Sequence, residues 1–411
     1  MNDRIAGGSV FESMVRRTRL GDASSLSRRA LLGAGAGAAV SSIVSCGGDD
    51  DEPTPTSIVP SGTPIVAVPT YDDPTRWAGR IVRVAAWGGE VQTALRTAVW
   101  QPFASATGCT VQEVTTDYAQ LTSSVGSGRP YADVLLVDEV WAETAPASGL
   151  VEAIGADEIN RERFGPVAAS DASIPAYAYA LVSAYRREAV ERPGKPNDWA
   201  DWWDSDRYAG RRALPRGASG NFEFALLADG VKADDLYPLD GPRAVESLKR
   251  ISGKIVDLWW DSGLEPVAWL SQERADFAAA WHYRVIAGQQ DGRAIALQWN
   301  QGLLVADDWV IAKGGPARDV AVDLLSYSTT PEVQAILART IPLGPVTPKA
   351  FEFLDPKVTK LLPTAPDTVE QLIRQDRAWW AANKGEANEQ FNCWLLGGPC
   401  LQPTPSATAA P

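Results

Sequence analysis

Short apolar segments alternate with helical patterns along most of the chain, and this alternation restricts the fold more than any other feature. The segment Ala132–Asp138 is a predicted strand whose centre lacks polar alternation, as in parallel strands that are covered on both faces. Three further segments are predicted strands: Ile81–Trp87, Cys109–Thr115 and Ala178–Tyr185. A helix is predicted over 90–107, between the first two of these. The alternation predicts an α/β fold with mostly parallel sheets.

Later in the chain, helical signals replace strand signals. Apolar residues in Pro242–Val256 recur at the spacing of an amphipathic helix. Thr330 precedes Pro331, which predicts a helix with a capping hydroxyl and a proline in its first turn. Another helix is predicted over Val369–Ala382.

Composition excludes several classes of function. The chain has 411 residues and a net charge of −13, which favours two domains and argues against binding to nucleic acid. Its one histidine, His282, excludes a histidine-rich zinc site and any catalytic triad with another histidine. The sequence has no P-loop, nucleophile elbow or dinucleotide fingerprint. We therefore predict no catalytic residues, no cofactor and no metal site.

The N-terminal 45 residues read as an export signal. Ser27-Arg28-Arg29-Ala30-Leu31-Leu32 is a twin-arginine pattern, and the apolar stretch after it ends in Ile43-Val44-Ser45-Cys46, a lipobox. Residues 1–45 are therefore a predicted twin-arginine lipoprotein signal peptide, and Cys46 is the predicted lipidation site. Residues 46–77 and 401–411 are rich in Pro, Thr and Ser, which predicts a disordered tether and a disordered tail.

Three cysteines remain after lipidation of Cys46, and an exported chain can form disulfides. Cys393 and Cys400 flank Gly397-Gly398-Pro399, so a disulfide between them is predicted. A disulfide between Cys109 and one of this pair stays open as the alternative.

Several motifs follow one another in a fixed order over about residues 80–400. They include Trp87-Gly88-Gly89, Tyr131-Ala132-Asp133-Val134, Asp198-Trp199-Ala200-Asp201-Trp202-Trp203, Asp308-Trp309-Val310-Ile311 and Leu343-Gly344-Pro345-Val346. In this order and spacing, they resemble the spermidine/putrescine-type solute-binding proteins of bacterial ABC transporters.

The resemblance implies a type II periplasmic-binding-protein-like α/β fold, in which two lobes are joined by a crossing-strand hinge and close on a ligand. It places lobe one at about 78–184 plus 308–345, and lobe two at about 185–307 plus 346–400. Ligands of open α/β sheets bind outside the carboxyl ends of the strands, where Trp87 and Asp138 fall.

The resemblance also implies the residues of the site. It places aromatic walls at Trp87 and Trp281, an acidic anchor at Asp307 and a further contact at Asp138. The predicted ligand-binding set is completed by Trp141, Tyr179, Glu223, Asp308 and Trp380. Aromatic faces attract cations, and a buried ammonium needs a counter-charge. The predicted solute is therefore a small organic cation, a polyamine or related amine.

Together these features predict a monomeric solute-binding protein, lipid-anchored at the outer face of the cytoplasmic membrane, that delivers its solute to an ABC permease. One alternative is a sensor that presents the same closed form to a membrane receptor. Another is an enzyme on the same fold, for which Cys109 is the candidate nucleophile.

Overall fold

The computed structural model describes residues 71–165, 167, 170–255 and 258–397. The predicted signal peptide, Cys46, most of the predicted tether, and the tail with Cys400 lie outside the described residues. All described residues belong to one compact unit that spans 59–411. None of the helices in this part of the chain is long and apolar enough to cross a membrane.

Nine strands of the described residues form one sheet. They are β1 Ile81–Ala86, β2 Thr110–Thr115, β3 Val134–Asp138, β4 Ile174–Arg186, β5 Arg212–Pro215, β6 Trp259–Trp260, β7 Phe277–Trp281, β8 Ile295–Ile311 and β9 Ile373–Arg374. Their order is β2-β1-β3-β8-β4-β7-β5-β6, and β9 pairs with β8.

The sheet is mixed: most strand pairs are parallel, as predicted, including β8–β9, but the crossing strands at its centre form antiparallel pairs that the sequence did not predict. The outer pairs β1–β2, β1–β3, β5–β6 and β5–β7 are parallel, whereas β3–β8, β4–β7 and β4–β8 are antiparallel. An uninterrupted apolar run indicates that both faces of a strand are covered. It carries no information about the direction of the neighbouring strand.

Helices cover the sheet. Their bounds are α1 Gly89–Leu95, α2 Gln101–Thr107, α3 Tyr118–Gly126, α4 Glu139–Ser148, α5 Trp199–Trp203, α6 Asn221–Ala228, α7 Gly241–Ile255, α8 Glu265–Ser271, α9 His282–Gln290, α10 Arg318–Ser328, α11 Pro331–Thr340, α12 Pro356–Thr359, α13 Pro366–Val369 and α14 Arg377–Leu396. A π-helical turn over Arg96–Trp100 joins α1 to α2, and α7 confirms the amphipathic helix that the apolar spacing predicts.

Two helix predictions need correction. The helix over Val369–Ala382 is wrong, because β9 pairs with β8 inside that range and α14 begins only after Asp376, which caps it. The capping role of Thr330 is also wrong. Its hydroxyl donates to the carbonyl oxygen of Tyr327 at 2.9 Å, because the end of α10 lies directly before it and leaves carbonyls without helical partners.

Two hydrophobic cores lie along the crossing strands β4 and β8. The first contains residues of β1, β3, α10 and α11, and the second contains residues of α5, α6, β7 and α14. Strand β4 contributes Ile174 to the first core and Leu181 to the second, and β8 contributes Trp309 to the first and Val305 to the second. Both strands therefore run from one core to the other. The lobe boundaries taken from the resemblance stay a prediction.

A buried arginine organises the second core. Arg212 on β5 is fully buried, and its guanidinium donates to the carbonyl oxygens of Trp202 at 3.0 Å, Gly210 at 2.8 Å and Tyr208 at 2.7 Å. Because its partners are neutral, burial lowers the pKa of Arg212 to about 10.

We expect Arg212→Met to destabilise the fold, because three carbonyl oxygens would lose their donor. Each buried unsatisfied group costs about 1–3 kcal/mol, so the free energy of unfolding should fall by about 3 kcal/mol or more. Urea titration followed by circular dichroism measures the change. The neighbouring Arg211 is exposed, and Arg211→Met should change stability by less than about 0.5 kcal/mol. Equal effects of the two substitutions would contradict this account.

Candidate ligand-binding site

A buried carboxylate lies on β8 where the two cores meet. Asp307 is 6% exposed. Its Oδ2 accepts hydrogen bonds from Trp87 Nε1 at 3.2 Å and from the Tyr177 hydroxyl at 2.6 Å, and its Oδ1 accepts one from the Tyr179 hydroxyl at 2.9 Å. These three donors are all aromatic and uncharged, so they hold the carboxylate without neutralising it.

Strand register explains why these side chains meet. Tyr177 and Tyr179 are two residues apart on β4 and so point to the same face, and Tyr177 is the register partner of Asp307. On its other side β8 pairs with β3, and Asp138 is the partner of Asp307 there. Trp87 directly follows β1, which brings its indole to the same end of the sheet.

Further rings surround this carboxylate. Trp281, the last residue of β7, meets Tyr179 edge to face at 4.9 Å, and Tyr283 meets Tyr179 at 6.4 Å. Tyr179 and Trp281 both pack against both cores. They therefore mark the junction between the cores, which is where a ligand between two lobes would contact the protein.

Asp138 and Trp141 join the site through Tyr118. The Tyr118 hydroxyl donates to Asp138 Oδ2 at 2.9 Å, and its ring stacks on Trp141 at 4.6 Å and meets Trp87 edge to face at 5.8 Å. Asp138 also caps α4 by accepting from the Trp141 amide at 2.9 Å. Its carboxylate thus has a local structural role beside its position at the site.

Sequence reasoning missed three aromatic residues of this group: Tyr118, Tyr177 and Tyr283. Tyr177 had a signal, because it directly precedes the predicted strand Ala178–Tyr185 and lies two residues before the predicted site residue Tyr179. Tyr283 lies two residues after Trp281 in the first turn of a helix. Tyr118 had no local signal, because its position depends on how α3 packs beside β3.

Burial controls the charge of Asp307. It raises the pKa of Asp307 to about 7, with a smaller upward contribution from the nearby Asp138 and Asp308, while the hydrogen bonds from Tyr177 and Tyr179 act in the opposite direction. A bound cation would favour the ionised form of this carboxylate.

Nowhere in the described part of the chain do three His, Cys, Asp or Glu side chains come together as metal ligands.

Asp308 lies on the opposite face of β8. It is fully buried, and its Oδ2 accepts from the Ser173 hydroxyl at 2.6 Å and from Arg377 Nη1 at 3.0 Å. Adjacent residues on a strand point to opposite faces, so the structure does not bring Asp308 together with Asp307. An ion pair already supplies the positive partner of Asp308.

Glu223 and Trp380 lie together inside the second core. Glu223 Oε1 accepts from Trp380 Nε1 and from the Tyr237 hydroxyl, both at 2.7 Å, and Oε2 accepts from the Gly220 amide at 2.9 Å. Both side chains are almost completely buried, and burial raises the pKa of Glu223. We assign them to the packing of α6 against α14, because their polar atoms bind each other and their neighbours.

His282 and the cysteines also have clear places. His282 Nδ1 accepts from the Ala180 amide at 3.0 Å, and Nε2 lies 2.7 Å from the Pro342 carbonyl. Burial lowers the pKa of His282 to about 4, so the ring is a neutral structural link.

Cys109 is a buried free thiol in the first core. Cys393 is disulfide-bonded, and its predicted partner Cys400 lies outside the described residues.

Two α/β cores that share long crossing strands, with an acidic, aromatic site at their junction, define a periplasmic-binding-protein-like fold. The model of the family described as bacterial extracellular solute-binding protein matches residues 98–364. The chain belongs to this family.

Relatives support the same assignment. The chain is 30% identical over 319 residues to a gamma-aminobutyric acid-binding protein of Pseudomonas aeruginosa. The aligned region covers 76% of this chain and 90% of the relative. An ABC transporter substrate-binding protein of Bradyrhizobium japonicum has a TM-score of 0.73 and 31% identity, over 77% of this chain and 100% of that one. The Atu4243-GABA receptor has a TM-score of 0.71 and 30% sequence identity, over 77% of this chain and 97% of that one.

The comparisons confirm the predicted fold and the class of function. The protein is a solute-binding protein of the ABC transporter type that binds a small ligand for a permease, and its relatives are binding proteins rather than enzymes. Membership of an extracellular family implies export. Neither the sensor nor the enzyme alternative is favoured.

The titration of Asp307 predicts a dependence of stability on pH. A carboxyl group whose pKa is raised to about 7 in the folded state contributes stability below the unfolded pKa of about 4, and this stability is lost as the pH rises through about 7. Asp307→Asn, which cannot ionise, should therefore gain about 2 kcal/mol relative to the wild type between pH 5 and pH 8.

Urea midpoints of the ligand-free protein at the two pH values measure this gain. The exposed Asp291 provides a control, and Asp291→Asn should follow the wild-type curve. Parallel curves for Asp307→Asn and the wild type would mean that Asp307 ionises normally in the folded protein.

Proposed function

We propose that the solute of this protein carries an ammonium group and that Asp307 is its anchor. The observation that supports this most directly is the set of partners of Asp307, namely two tyrosine hydroxyls and one indole N–H. Uncharged donors leave the net charge of a buried carboxylate in place. A cation beside it would offset that charge.

The surrounding rings suit the same group. An ammonium over the face of a Trp or Tyr ring gains about 0.5–2 kcal/mol, with the larger values where water is excluded. Trp87 and Tyr179 donate hydrogen bonds to Asp307, and Trp281 packs on Tyr179, so three aromatic rings lie around this carboxylate. In this proposal, the carboxylate supplies the negative charge and the aromatic rings exclude water from the ammonium group.

The relatives favour an amino acid such as gamma-aminobutyric acid as the amine. The Pseudomonas relative is named for binding this compound, and the receptor with a TM-score of 0.71 is named with it as well. A polyamine is the second candidate, supported by Asp138 beside Asp307 in the strand register. Both candidates place a primary ammonium at the same carboxylate.

A ligand panel tests the proposal on residues 71–411. Isothermal titration calorimetry with gamma-aminobutyric acid, n-butylamine, putrescine and succinate should give binding to amines and none to succinate. A ligand at 100 times its Kd stabilises the folded state by about 2.7 kcal/mol, which a thermal melt detects independently. Binding should strengthen from pH 5.5 to pH 8, because Asp307 ionises over this range.

Asp307→Asn should lower the affinity for amines by at least a hundredfold, because it removes the counter-charge. Glu223→Gln is the matched control, since it neutralises another buried carboxyl group that lies in the second core. This variant should bind like the wild type. Retained amine binding in Asp307→Asn, or binding of succinate alone, would contradict the proposal.

We also propose that a lipid on Cys46 holds the exported protein at the membrane. The support is the lipobox Ile43-Val44-Ser45-Cys46 after the twin-arginine pattern. Cys46→Ala should move the protein from the membrane to the soluble fraction of fractionated cells that express the full chain. Cys109→Ala, at the buried free thiol, should leave it at the membrane. A membrane-bound Cys46→Ala protein would refute the anchor.

A further inference from the structure

Two strands meet end to end along one edge of β8, while β4 pairs with the other edge. Strand β3 runs antiparallel to β8 and ends at Asp138, opposite Asp307. Strand β9 runs parallel to β8 and ends at Arg374, opposite Leu304. The two strands therefore approach each other from opposite directions, with residues 305–306 of β8 between their ends. Each chain then leaves the sheet and begins a helix, α4 after β3 and α14 after β9.

The two strand ends belong to different halves of the molecule. Strand β3 contributes Val134 and Leu136 to the first core, and β9 contributes Ile373 to the second. The predicted lobes divide in the same way, with β3 and α4 in lobe one and β9 and α14 in lobe two. On the edge with β4, the backbone itself passes from one core to the other. On this edge the backbone is interrupted, so side chains make the connection.

Arg374 lies at the gap between the strand ends. Its Nη1 donates to Glu139 Oε1 at 2.8 Å and to the carbonyl oxygen of Leu304 at 3.0 Å, and its Nη2 donates to Glu139 Oε2. The Glu139 side chain is 2% exposed. A two-pronged pair of this kind fixes orientation as well as distance, and its separation would leave a buried charge without a partner.

Arg377 makes a second bridge one helical turn further along α4. Its Nε donates to Glu143 Oε2 at 2.8 Å, and its Nη1 lies 3.0 Å from Asp308 Oδ2. Glu139 and Glu143 are four residues apart and so lie on one face of the helix. The two arginines therefore bind the same face of α4.

The first turn of α4 also carries residues of the candidate site. Asp138 caps this helix, and Trp141 stacks on Tyr118. Glu139 lies between the two in sequence, so a contact that holds Glu139 also fixes the turn that carries them. Arg374 thus acts on the site through α4, as a positioning residue.

We propose that Arg374 and Arg377 form a clasp between the two lobes, which limits their separation in the ligand-free protein and fixes the first turn of α4 at the site. Strands β4 and β8 supply the covalent part of the hinge, and the clasp completes its remaining edge. Because the lobes are then restricted before a solute arrives, less conformational freedom is lost on binding. The clasp acts in the same way whatever the charge of the solute.

Distances between spin labels test the clasp directly. Residues 59–411 form one compact unit, in which Cys109 is buried and Cys393 is disulfide-bonded, so labels attach to introduced cysteines. Gln101→Cys on α2 and Lys249→Cys on α7 are both at exposed positions and place one label in each predicted lobe. Pulsed electron paramagnetic resonance of the ligand-free protein then gives the distribution of distances between the lobes.

We expect Arg374→Gln to broaden this distribution at least about twofold, because the lobes lose the two-pronged pair. Glu139→Gln should have the same effect, and the double variant should be no broader than either single variant, because all three lack one and the same contact. Arg374→Lys keeps the charge without the planar fork and should lie between the wild type and Arg374→Gln.

Arg83→Gln is the matched control. Arg83 binds Asp133 through Nε and Nη2, both at 3.0 Å, and both residues belong to predicted lobe one. The side chains of this pair are 27% and 1% exposed, against 28% and 2% for Arg374 and Glu139. Arg83→Gln should therefore lower the urea midpoint as Arg374→Gln does, but should leave the distance distribution unchanged.

A wild-type distribution in a folded Arg374→Gln variant would overturn the clasp, and so would equal broadening in Arg83→Gln. If Arg374→Gln does not fold, Glu143→Gln decides the matter, because it removes the more exposed contact, whose carboxylate side chain is 35% exposed. A broader distribution in this variant supports the clasp, and an unchanged one overturns it. No ligand enters these measurements, so they stand or fall separately from the proposed function.

Discussion

Two adjacent carboxylates on the strand that joins the cores govern the electrostatics of this molecule. Strand geometry sends Asp307 and Asp308 to opposite faces of β8, and both side chains are buried. Asp308 meets Arg377 and Ser173, so its charge is compensated within the protein. Asp307 meets only uncharged donors at its three hydrogen bonds. The two buried carboxylates therefore differ in their partners. Asp308 has a structural role, whereas Asp307 is suited to an external cation.

The face with Asp308 also ties helix α4 to strand β9 and to helix α14 of the second core. Arg374 donates to Glu139 Oε1 at 2.8 Å, and Arg377 Nε donates to Glu143 Oε2 at 2.8 Å. Both glutamates lie on α4, beside residues that pack on β3, whereas α14, which begins at Arg377, packs in the second core. Glu90 and Arg284 repeat this polarity on the other face, with the acid near β1 and the arginine after β7. Ion pairs therefore link elements of different hydrophobic clusters near the aromatic site.

Local patterns predicted the strands β1 to β4 and the helix α7, because apolar periodicity reports burial directly. The resemblance supplied Trp87, Trp281 and Asp307, which the register then brings to one junction. The break in the predicted helix over Val369–Ala382 arises from the pairing of β9 with β8, a contact about 70 residues away in sequence. Glu223 and Trp380 bind each other for a similar reason, and Tyr118 reaches Asp138 only after the helices pack. Such positions depend on tertiary contacts that one sequence does not display.

Charge balance connects the anchor with the ion pair beside it. Burial raises the pKa of Asp307 to about 7, so the ionised carboxylate is costly until a cation is near. The nearby ion pair of Arg284 and Glu90 is already compensated within the protein, whereas Asp307 has no cationic partner among its hydrogen-bond donors. Asp307, unlike Glu90, is therefore the carboxylate that an external cation would complete.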